Sequence, residues 1–174
     1  TYVTTDANKD GIYNACLHYG WIKERYLLAL DMDGTLLKSD KTISKNTADS
    51  LIEANKRGQS ICLCTGRGLA ELKDYEGELD FCDYGILLSG CLIYDFKNNK
   101  PLEVHSFDTD IFTQMMDIVK KEDVMLYLLD SSHSIASQKD VENMPYYNMA
   151  IYQSMFESRA FVVEDIYEYA EEHK

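Results

Sequence analysis

The sequence predicts an α/β protein in which a parallel sheet with helices is followed by a smaller α+β module. Three short apolar segments each end in a polar or glycine-containing turn, and a helix-forming segment separates the first two. Strand, helix, strand order predicts a parallel sheet with right-handed crossovers. After Gly90 the pattern changes to strand pairs around a helical segment, which predicts a separate module with a boundary near that glycine.

The first strand is predicted at residues 26–30, an apolar run typical of a buried strand that ends at Asp31. Ser44 is predicted to cap a helix that runs to about Arg57, and Gly58 is predicted to stop it. The remaining elements of this half are strands at residues 60–64 and 84–88, with a short helix at 69–73 between them.

The second half is predicted to be hairpin, helix, hairpin. Residues 91–95 and 102–107 flank a polar turn, and Asp108 caps a helix whose apolar residues recur at helical spacing. Residues 125–129 and 134–137 form the second hairpin, and residues 164–172 a helix. No element is predicted between residues 138 and 163.

Composition narrows the function. The 174 residues include 30 acidic and 17 basic side chains, for a net charge of −13. This charge disfavours nucleic acids and anionic membranes as partners. No apolar run approaches the roughly 20 residues that a membrane span needs. Five cysteines, an odd number in a chain without a signal peptide, predict reduced thiols and a cytoplasmic location.

Residues 31–37, Asp-Met-Asp-Gly-Thr-Leu-Leu, are the most informative segment. Open α/β sheets bind ligands at the carboxyl ends of their strands, where this motif is predicted to lie. Asp31 and Asp33 can supply a nucleophile, a proton donor and oxygen ligands for Mg²⁺. Gly34 allows a tight turn, and Thr35 offers a hydroxyl and an N–H to an anion. A simple polar turn after a strand is the alternative for the Asp-x-Asp-Gly core.

Thr65-Gly66-Arg67 ends the second predicted strand, so its threonine is expected to reach the same sheet edge as Asp31 and to contact a phosphoryl oxygen. Cys62 and Cys64 lie on one face of that strand and are predicted to be buried, metal-free thiols. His133, in a polar turn of the second half, is a candidate substrate contact.

Asp6-Ala7-Asn8-Lys9-Asp10-Gly11 matches the start of a calcium-binding loop, which leaves a calcium-dependent interaction module as another hypothesis. The twelfth position of such a loop supplies a bidentate carboxylate, whereas this chain has Leu17 there. The preferred interpretation is therefore a turn that leads into a helix.

With both motifs in place, the chain resembles the haloacid dehalogenase superfamily, in particular its Cof-type phosphatases. Leu-Ala-Leu-Asp-Met-Asp-Gly-Thr-Leu-Leu is similar to the first family motif, and Cys-Thr-Gly-Arg to the second. The segment from Tyr84 to Asp95 resembles the entry into the family's α/β cap domain, with Ser89 and Cys91 where the family has Asn and Ala. The resemblance covers residues 25–174 and implies a Rossmann-like core with a partial cap.

The resemblance implies a Mg²⁺-dependent phosphomonoester hydrolase that acts on a small phosphorylated metabolite. Asp31 is then the nucleophile that forms an aspartyl-phosphate, and Asp33 the general acid and base. Asp31 and Asp33 also hold the metal, Asp33 through its backbone carbonyl. The implied phosphate-binding residues are Gly34, Thr35, Thr65 and Gly66, and the candidate substrate-side residues are Arg67, Ser89, Gly90 and His133.

The family pattern continues with a lysine and a Gly-Asp-x-x-Asn-Asp motif that these 174 residues do not contain. Residues 1–24 instead resemble the C-terminal end of a Cof-type domain, which gives three expected segments: 1–24, a core at 25–90 and a partial cap at 91–174. A tandem, permuted or fragmented parent would explain this order. A second chain or copy is then expected to complete the fold, and a catalytically inactive fragment or binding module is the alternative function.

Overall fold

The computed structural model describes residues 2–3, 5–20 and 25–173, which form two β-sheets with helices around them. The first sheet has five strands in the order in which they follow one another along the chain. Its first three strands are parallel, and the last two extend it as an antiparallel hairpin. These strands are β1 (Leu27–Asp31), β2 (Ser60–Cys64), β3 (Tyr84–Leu87), β4 (Leu92–Asp95) and β5 (Lys100–Val104). The predicted α/β class is confirmed.

The second sheet has three strands, with the middle one antiparallel to the first and parallel to the third. They are β6 (Tyr127–Leu129), β7 (Ser134–Ser137) and β8 (Phe161–Val163). The third strand and the two helices before it lie in the stretch for which the sequence predicted no element. The helices are α1 (Gly11–His18), α2 (Lys45–Lys56), α3 (Leu69–Leu72), α4 (Thr109–Val119), α5 (Gln138–Glu142), α6 (Gln153–Arg159) and α7 (Ile166–Glu172). Among the helices described, none has the length and apolarity needed to span a bilayer.

Helix α2 begins and ends where its local chemistry predicts. The Ser44 hydroxyl accepts a hydrogen bond from the backbone N–H of Thr47 at 3.2 Å, which satisfies one of the free donors of the first turn. Beyond the last turn, Gly58 takes a φ of +90°, a conformation that glycine adopts without a steric penalty. Leu51 is the buried residue of this helix.

Two hydrophobic cores correspond to the two sheets. In the first, Met32, Ile61, Leu63, Leu87 and Leu92 are fully buried, so the central strands and the loop after β1 share one core. The second core lies against β7 and contains Ala136, Val141, Met144 and Phe156. Each sheet therefore has its own packed interior.

Strand β1 differs from the sequence prediction. The run at residues 26–30 was expected to be buried, but Leu27 is 60% exposed and Leu28 40% exposed. β1 is the edge strand and pairs only with β2 among the described strands. Successive side chains of a strand point to opposite faces of the sheet, so the exposure of Leu27 and Leu28 means that the described residues leave both faces of β1 open at this end. The prediction of a strand is correct and the prediction of its burial is wrong.

Asp83, just before β3, joins three parts of the first sheet. Its Oδ2 accepts hydrogen bonds from the Ile61 backbone N–H at 2.8 Å and from Asn55 Nδ2 at 2.9 Å. Lys97, in the β4–β5 turn, forms an ion pair with the other oxygen. Burial acts to raise the pKa of this carboxyl, but the Lys97 ammonium and the two hydrogen bonds outweigh it and lower the pKa. Asp83 therefore stabilises the sheet as an ionised group.

The hairpin after Gly90 continues the first sheet, because β4 pairs antiparallel with β3 over four residues. The second half of the chain then contacts the first through α6, where Arg159 forms an ion pair with Asp74. A boundary near Gly90 remains a prediction.

The N-terminal segment forms a capped turn and a helix. The Asp6 carboxylate accepts a hydrogen bond from the Asn8 N–H at 2.9 Å, and Asp10 takes a left-handed φ of 55° before α1 begins. Asp6 thus caps a turn, as the preferred interpretation of the sequence expected. Parts of the predicted 1–24 segment, residues 1, 4 and 21–24, lie outside the described residues.

Candidate active site

The first loop of the candidate site follows β1 directly. Asp31 is the last residue of the strand and stands in register with Cys64 of β2. Met32 is fully buried, whereas Asp31 and Asp33 on either side of it are exposed. The loop closes through hydrogen bonds from the Leu36 and Leu37 N–H groups to the carbonyls of Asp31 and Met32, at 3.2 and 2.9 Å. The buried methionine thus anchors the loop, and both carboxylates reach solvent.

Asp31 and Thr35 form a fixed pair within this loop. The Thr35 hydroxyl donates to Asp31 Oδ2 at 2.9 Å. Gly34, which lies between Asp33 and Thr35, takes a φ of +83° that the tight turn requires. Oδ1 of Asp31 forms no hydrogen bond with the part of the chain described here, so this oxygen is open to a ligand.

Asp33 is held by two cations. Arg67 binds it in a bidentate manner, with Nε to Oδ2 at 2.8 Å and Nη2 to Oδ1 at 3.0 Å. Lys41 Nζ lies 2.8 Å from Oδ1. The Arg67 hydrogen bonds lower the pKa of Asp33 far below the ordinary aspartate value. Burial, the second-largest effect, acts to raise this pKa, and the hydrogen bond and charge of Lys41 lower it further. Asp33 is therefore an ionised carboxylate.

The second loop follows β2 and is joined to the third loop, after β3. Thr65 donates its N–H to Ile86 O at 3.0 Å, and its carbonyl accepts from the Ser89 N–H at 3.2 Å. The Arg67 N–H donates to Thr65 Oγ1 at 3.2 Å, and the Arg67 carbonyl accepts from the Leu88 N–H at 3.1 Å. These bonds, with the Asp33–Arg67 pair, bring all three loops together at the carboxyl edge of the parallel strands.

The third loop has an unusual backbone. Leu88, Ser89 and Gly90 all have positive φ values, of 52°, 56° and 102°. Non-glycine residues rarely adopt this region, and runs of them persist where the surrounding contacts hold them. The contacts here are the two bonds to the second loop. A Cβ on Gly66 would lie 3.4 Å from the Ser89 hydroxyl oxygen, so the two loops are in close contact.

Two backbone donors at this edge, the N–H groups of Thr35 and Gly66, donate to none of the residues in the described ranges. The Gly34 N–H faces the Leu37 carbonyl, in the isolated bridge between residues 33 and 37. Together with the hydroxyls of Thr35 and Thr65, the two donors lie on the loops that converge at Asp31. Unpaired backbone N–H groups in turns form concave sites for anions.

His133 lies in a different place from the other candidate residues. Its Nδ1 lies 3.2 Å from Oδ2 of Asp130. His133 also lines a cavity of about 670 Å³ between the first sheet and the β6–β7 turn. The lining of this cavity includes Tyr75, Tyr94 and Lys97 but none of Asp31, Asp33 or Thr65. The structure thus brings Arg67, Ser89 and Gly90 to the Asp31 edge and leaves His133 outside it.

The cysteines are free thiols at all five positions. Cys62 is buried, and burial, with a further contribution from neighbouring Cys64, raises the pKa of its thiol to about 11. A protonated thiol in an apolar strand is a poor metal ligand. Within the described ranges, no group of three or more His, Cys, Asp and Glu side chains is arranged to hold a metal ion.

One residue of this cluster was not predicted from the sequence. Lys41 belongs to the polar turn after the first motif, and a charged residue in such a turn is usually solvated. The available signal was its closeness to Asp33, eight positions away. Arg67 was predicted as a substrate contact, and the structure places it on Asp33.

Known proteins resemble this chain over the region that contains the candidate site. The family model for haloacid dehalogenase-like hydrolases matches residues 28–173. The Bacillus subtilis protein YxeH is 29% identical over 130 residues, which cover 73% of this chain and 48% of that protein. The 5-amino-6-(5-phospho-D-ribitylamino)uracil phosphatase YitU of Bacillus subtilis is 32% identical over 100 residues, covering 57% of this chain and 37% of YitU.

Solved structures show the same fold. A haloacid dehalogenase-like hydrolase from Bacillus subtilis matches with a TM-score of 0.64 at 18% identity, over 82% of this chain and 55% of that one. The chain thus spans about half the length of these relatives or less.

Proposed function

The chain belongs to the haloacid dehalogenase-like hydrolase family, and we propose that it carries the nucleophile loop of a Mg²⁺-dependent phosphomonoester hydrolase. The observation that carries the proposal is the convergence at one sheet edge of Asp31, the paired Asp33 and the N–H groups of Thr35 and Gly66, which donate to no described residue. A carboxylate beside hydrogen-bond donors for an anion suits attack on a phosphoryl group.

In the proposed reaction Asp31 attacks the phosphorus of a phosphate monoester through Oδ1, since Thr35 holds Oδ2. The new carboxylate oxygen–phosphorus bond replaces the ester oxygen–phosphorus bond, and the leaving oxygen takes a proton from Asp33. Water then attacks the aspartyl-phosphate, gives its proton to Asp33, and releases inorganic phosphate and free Asp31. The ionised Asp33 is ready for this second step, whereas the first step requires it to take up a proton against its two cations.

The phosphoryl group in this proposal binds to the N–H groups of Thr35 and Gly66 and to the hydroxyl of Thr65. The Thr65 oxygen accepts from the Arg67 N–H, so its own proton is free to point at a phosphoryl oxygen. Ser89 and Gly90 border the site through their contact with the second loop.

The residues at the site offer the oxygen ligands that Mg²⁺ prefers. Mg²⁺ is usually held by one or two carboxylates together with water and substrate phosphate oxygens, and Asp31 Oδ1 is an open carboxylate oxygen. The Asp33 carboxylate is occupied by Arg67 and Lys41, which leaves its backbone carbonyl as the second ligand. When bound, the metal would offset the repulsion between the anionic nucleophile and the anionic substrate.

We infer a small phosphorylated metabolite as the substrate, in line with the compound for which YitU is named. We also infer that further polypeptide, from the same protein or a second chain, completes the fold. The exposed apolar side chains of β1 support this inference, because strands of parallel sheets are usually covered on both faces. The free thiols are consistent with a reducing, cytoplasmic location.

The test of the proposed function is hydrolysis of p-nitrophenyl phosphate with Mg²⁺ and after its removal with EDTA. Turnover that requires Mg²⁺ and is lost in the Asp31→Asn variant would support the proposal. Turnover that survives Asp31→Asn would reject it.

A further inference from the structure

We propose that the two cations on Asp33 have different tasks: Arg67 is a fixed positioning residue for Asp33, and Lys41 is a mobile ligand that transfers to the phosphoryl group. The proposal rests on the proposed function and adds to it a phosphate-binding residue outside the two sequence motifs. The contacts of each cation lead to this division.

Contacts of both its side chain and its backbone hold Arg67 in place. Its fork makes two hydrogen bonds to Asp33, and its side chain is only 19% exposed. The guanidinium carbon lies 5.6 Å from the centre of the ring of Tyr75, a buried residue. The backbone of Arg67 is bonded to Thr65 and Leu88. A planar guanidinium in a bidentate pair, stacked on an aromatic ring, keeps its partner in one orientation.

The side chain of Lys41 makes fewer contacts than that of Arg67. Lys41 makes one hydrogen bond to Asp33 through a flexible side chain that is 62% exposed. Its backbone lies in a tight turn, closed by bonds between Lys38 and Thr42 and between Lys41 and Lys38, and has a φ of 62°. Exposed ion pairs of this kind contribute little to stability, so the ammonium can exchange one anion for another at small cost.

The charges explain why such an exchange is favourable. A phosphate monoester that reaches Asp31 meets two carboxylates, and the cations that the described loops bring to this edge are Lys41 and Arg67. If Lys41 moves to a phosphoryl oxygen, Asp33 keeps both hydrogen bonds from Arg67 and is not left unpaired. If Arg67 moved instead, Asp33 would lose its bidentate partner and its orientation. The division therefore lets the substrate gain a cation while the acid–base group stays in place.

The test compares binding of inorganic phosphate, in the presence of Mg²⁺, to the purified protein and to its Lys41→Met variant by calorimetry. The matched control is Lys38→Met, which removes the same charge from the same turn, where Lys38 pairs with Asp40. We expect Lys41→Met to weaken phosphate binding about fivefold, the upper range for an exposed pair, and Lys38→Met to leave it within twofold. Equal losses in both variants, no loss in Lys41→Met, or no phosphate binding by the parent protein would overturn the role of Lys41.

The role of Arg67 has separate readouts. Arg67→Met should lower kcat for p-nitrophenyl phosphate by about tenfold or more, and Arg67→Lys should restore part of kcat. A crystal structure with phosphate bound should show Lys41 on the phosphate and Arg67 still on Asp33. The opposite arrangement would overturn the division. Phosphate binding and this structure need no turnover, so they decide the proposal even if the hydrolase function fails its own Asp31→Asn test.

Discussion

Asp33 and Arg67 lie 34 positions apart in the sequence and are joined by two hydrogen bonds of 2.8 and 3.0 Å. The pair connects the loop after β1 to the loop after β2, so the two motifs form one site. It also keeps Asp33 ionised, because the guanidinium favours the charged form of the carboxyl.

Replacing Asp31 with asparagine should abolish phosphatase activity in the protein and leave the fold intact. The amide is a much poorer nucleophile, and Asp31 is exposed at a strand end, so the free energy of unfolding should change by about 0.5 kcal/mol or less. Activity on p-nitrophenyl phosphate and a urea unfolding curve measure the two effects. Asp40→Asn, in the nearby turn, is the control and should retain activity.

Replacing Asp33 with asparagine should lower kcat on the order of 10²-fold or more, because acid–base catalysis is lost while the nucleophile remains. A residual rate above that of Asp31→Asn is expected in the same assay. A variant with wild-type kcat would show that another group transfers the protons.

Asp83→Asn should reduce stability in a pH-dependent manner. The ionised Asp83 is buried against Asn55, the Ile61 N–H and Lys97, so its pKa is lower in the folded protein than in the unfolded chain. Its stabilising contribution is therefore complete above the unfolded value, about 3.9, and is lost as the pH falls toward the folded value. The variant should be about 2 kcal/mol less stable at neutral pH.

Urea unfolding at pH 7 and below pH 4 measures this effect, and the difference between parent and variant should shrink at the lower pH. Asp117→Asn, at an exposed residue of α4 that has no hydrogen bond to a described residue, serves as the control at both pH values. A difference that grows with acidity would contradict the assigned direction of the pKa shift.

The edge of β1 should promote self-association of this chain. Leu27 and Leu28 are exposed, and β1 pairs with no described strand on its side away from β2. An unpaired strand edge is a template for pairing with another strand. Leu28→Lys should shift the species seen by sedimentation velocity toward the monomer. Ile118→Lys, which changes an exposed apolar residue of α4, is the matched control, and an equal shift in both variants would contradict a specific role of β1.

The sequence by itself determined the elements and loops that depend on local properties. Ser44 caps α2, Gly58 follows its end, and β2 runs from Ser60 to Cys64 as its apolar residues predict. The two motifs were located for the same reason: strand ends in a parallel sheet lie at one edge, so Asp31 and Thr65 were expected together. Capping, periodicity and strand order can be read within a few dozen residues.

Only the tertiary structure decided which partner each charged group takes and which strand is covered. Arg67 could face a substrate or Asp33, and the relative position of two loops selects Asp33. Lys41 enters the site because its turn folds back beside the first motif. The apolar run of β1 predicts a strand but cannot tell whether another element covers its faces, and Leu27 is exposed because no described element packs over it. Burial and ion pairing depend on contacts between distant parts of the chain, and no local pattern encodes them.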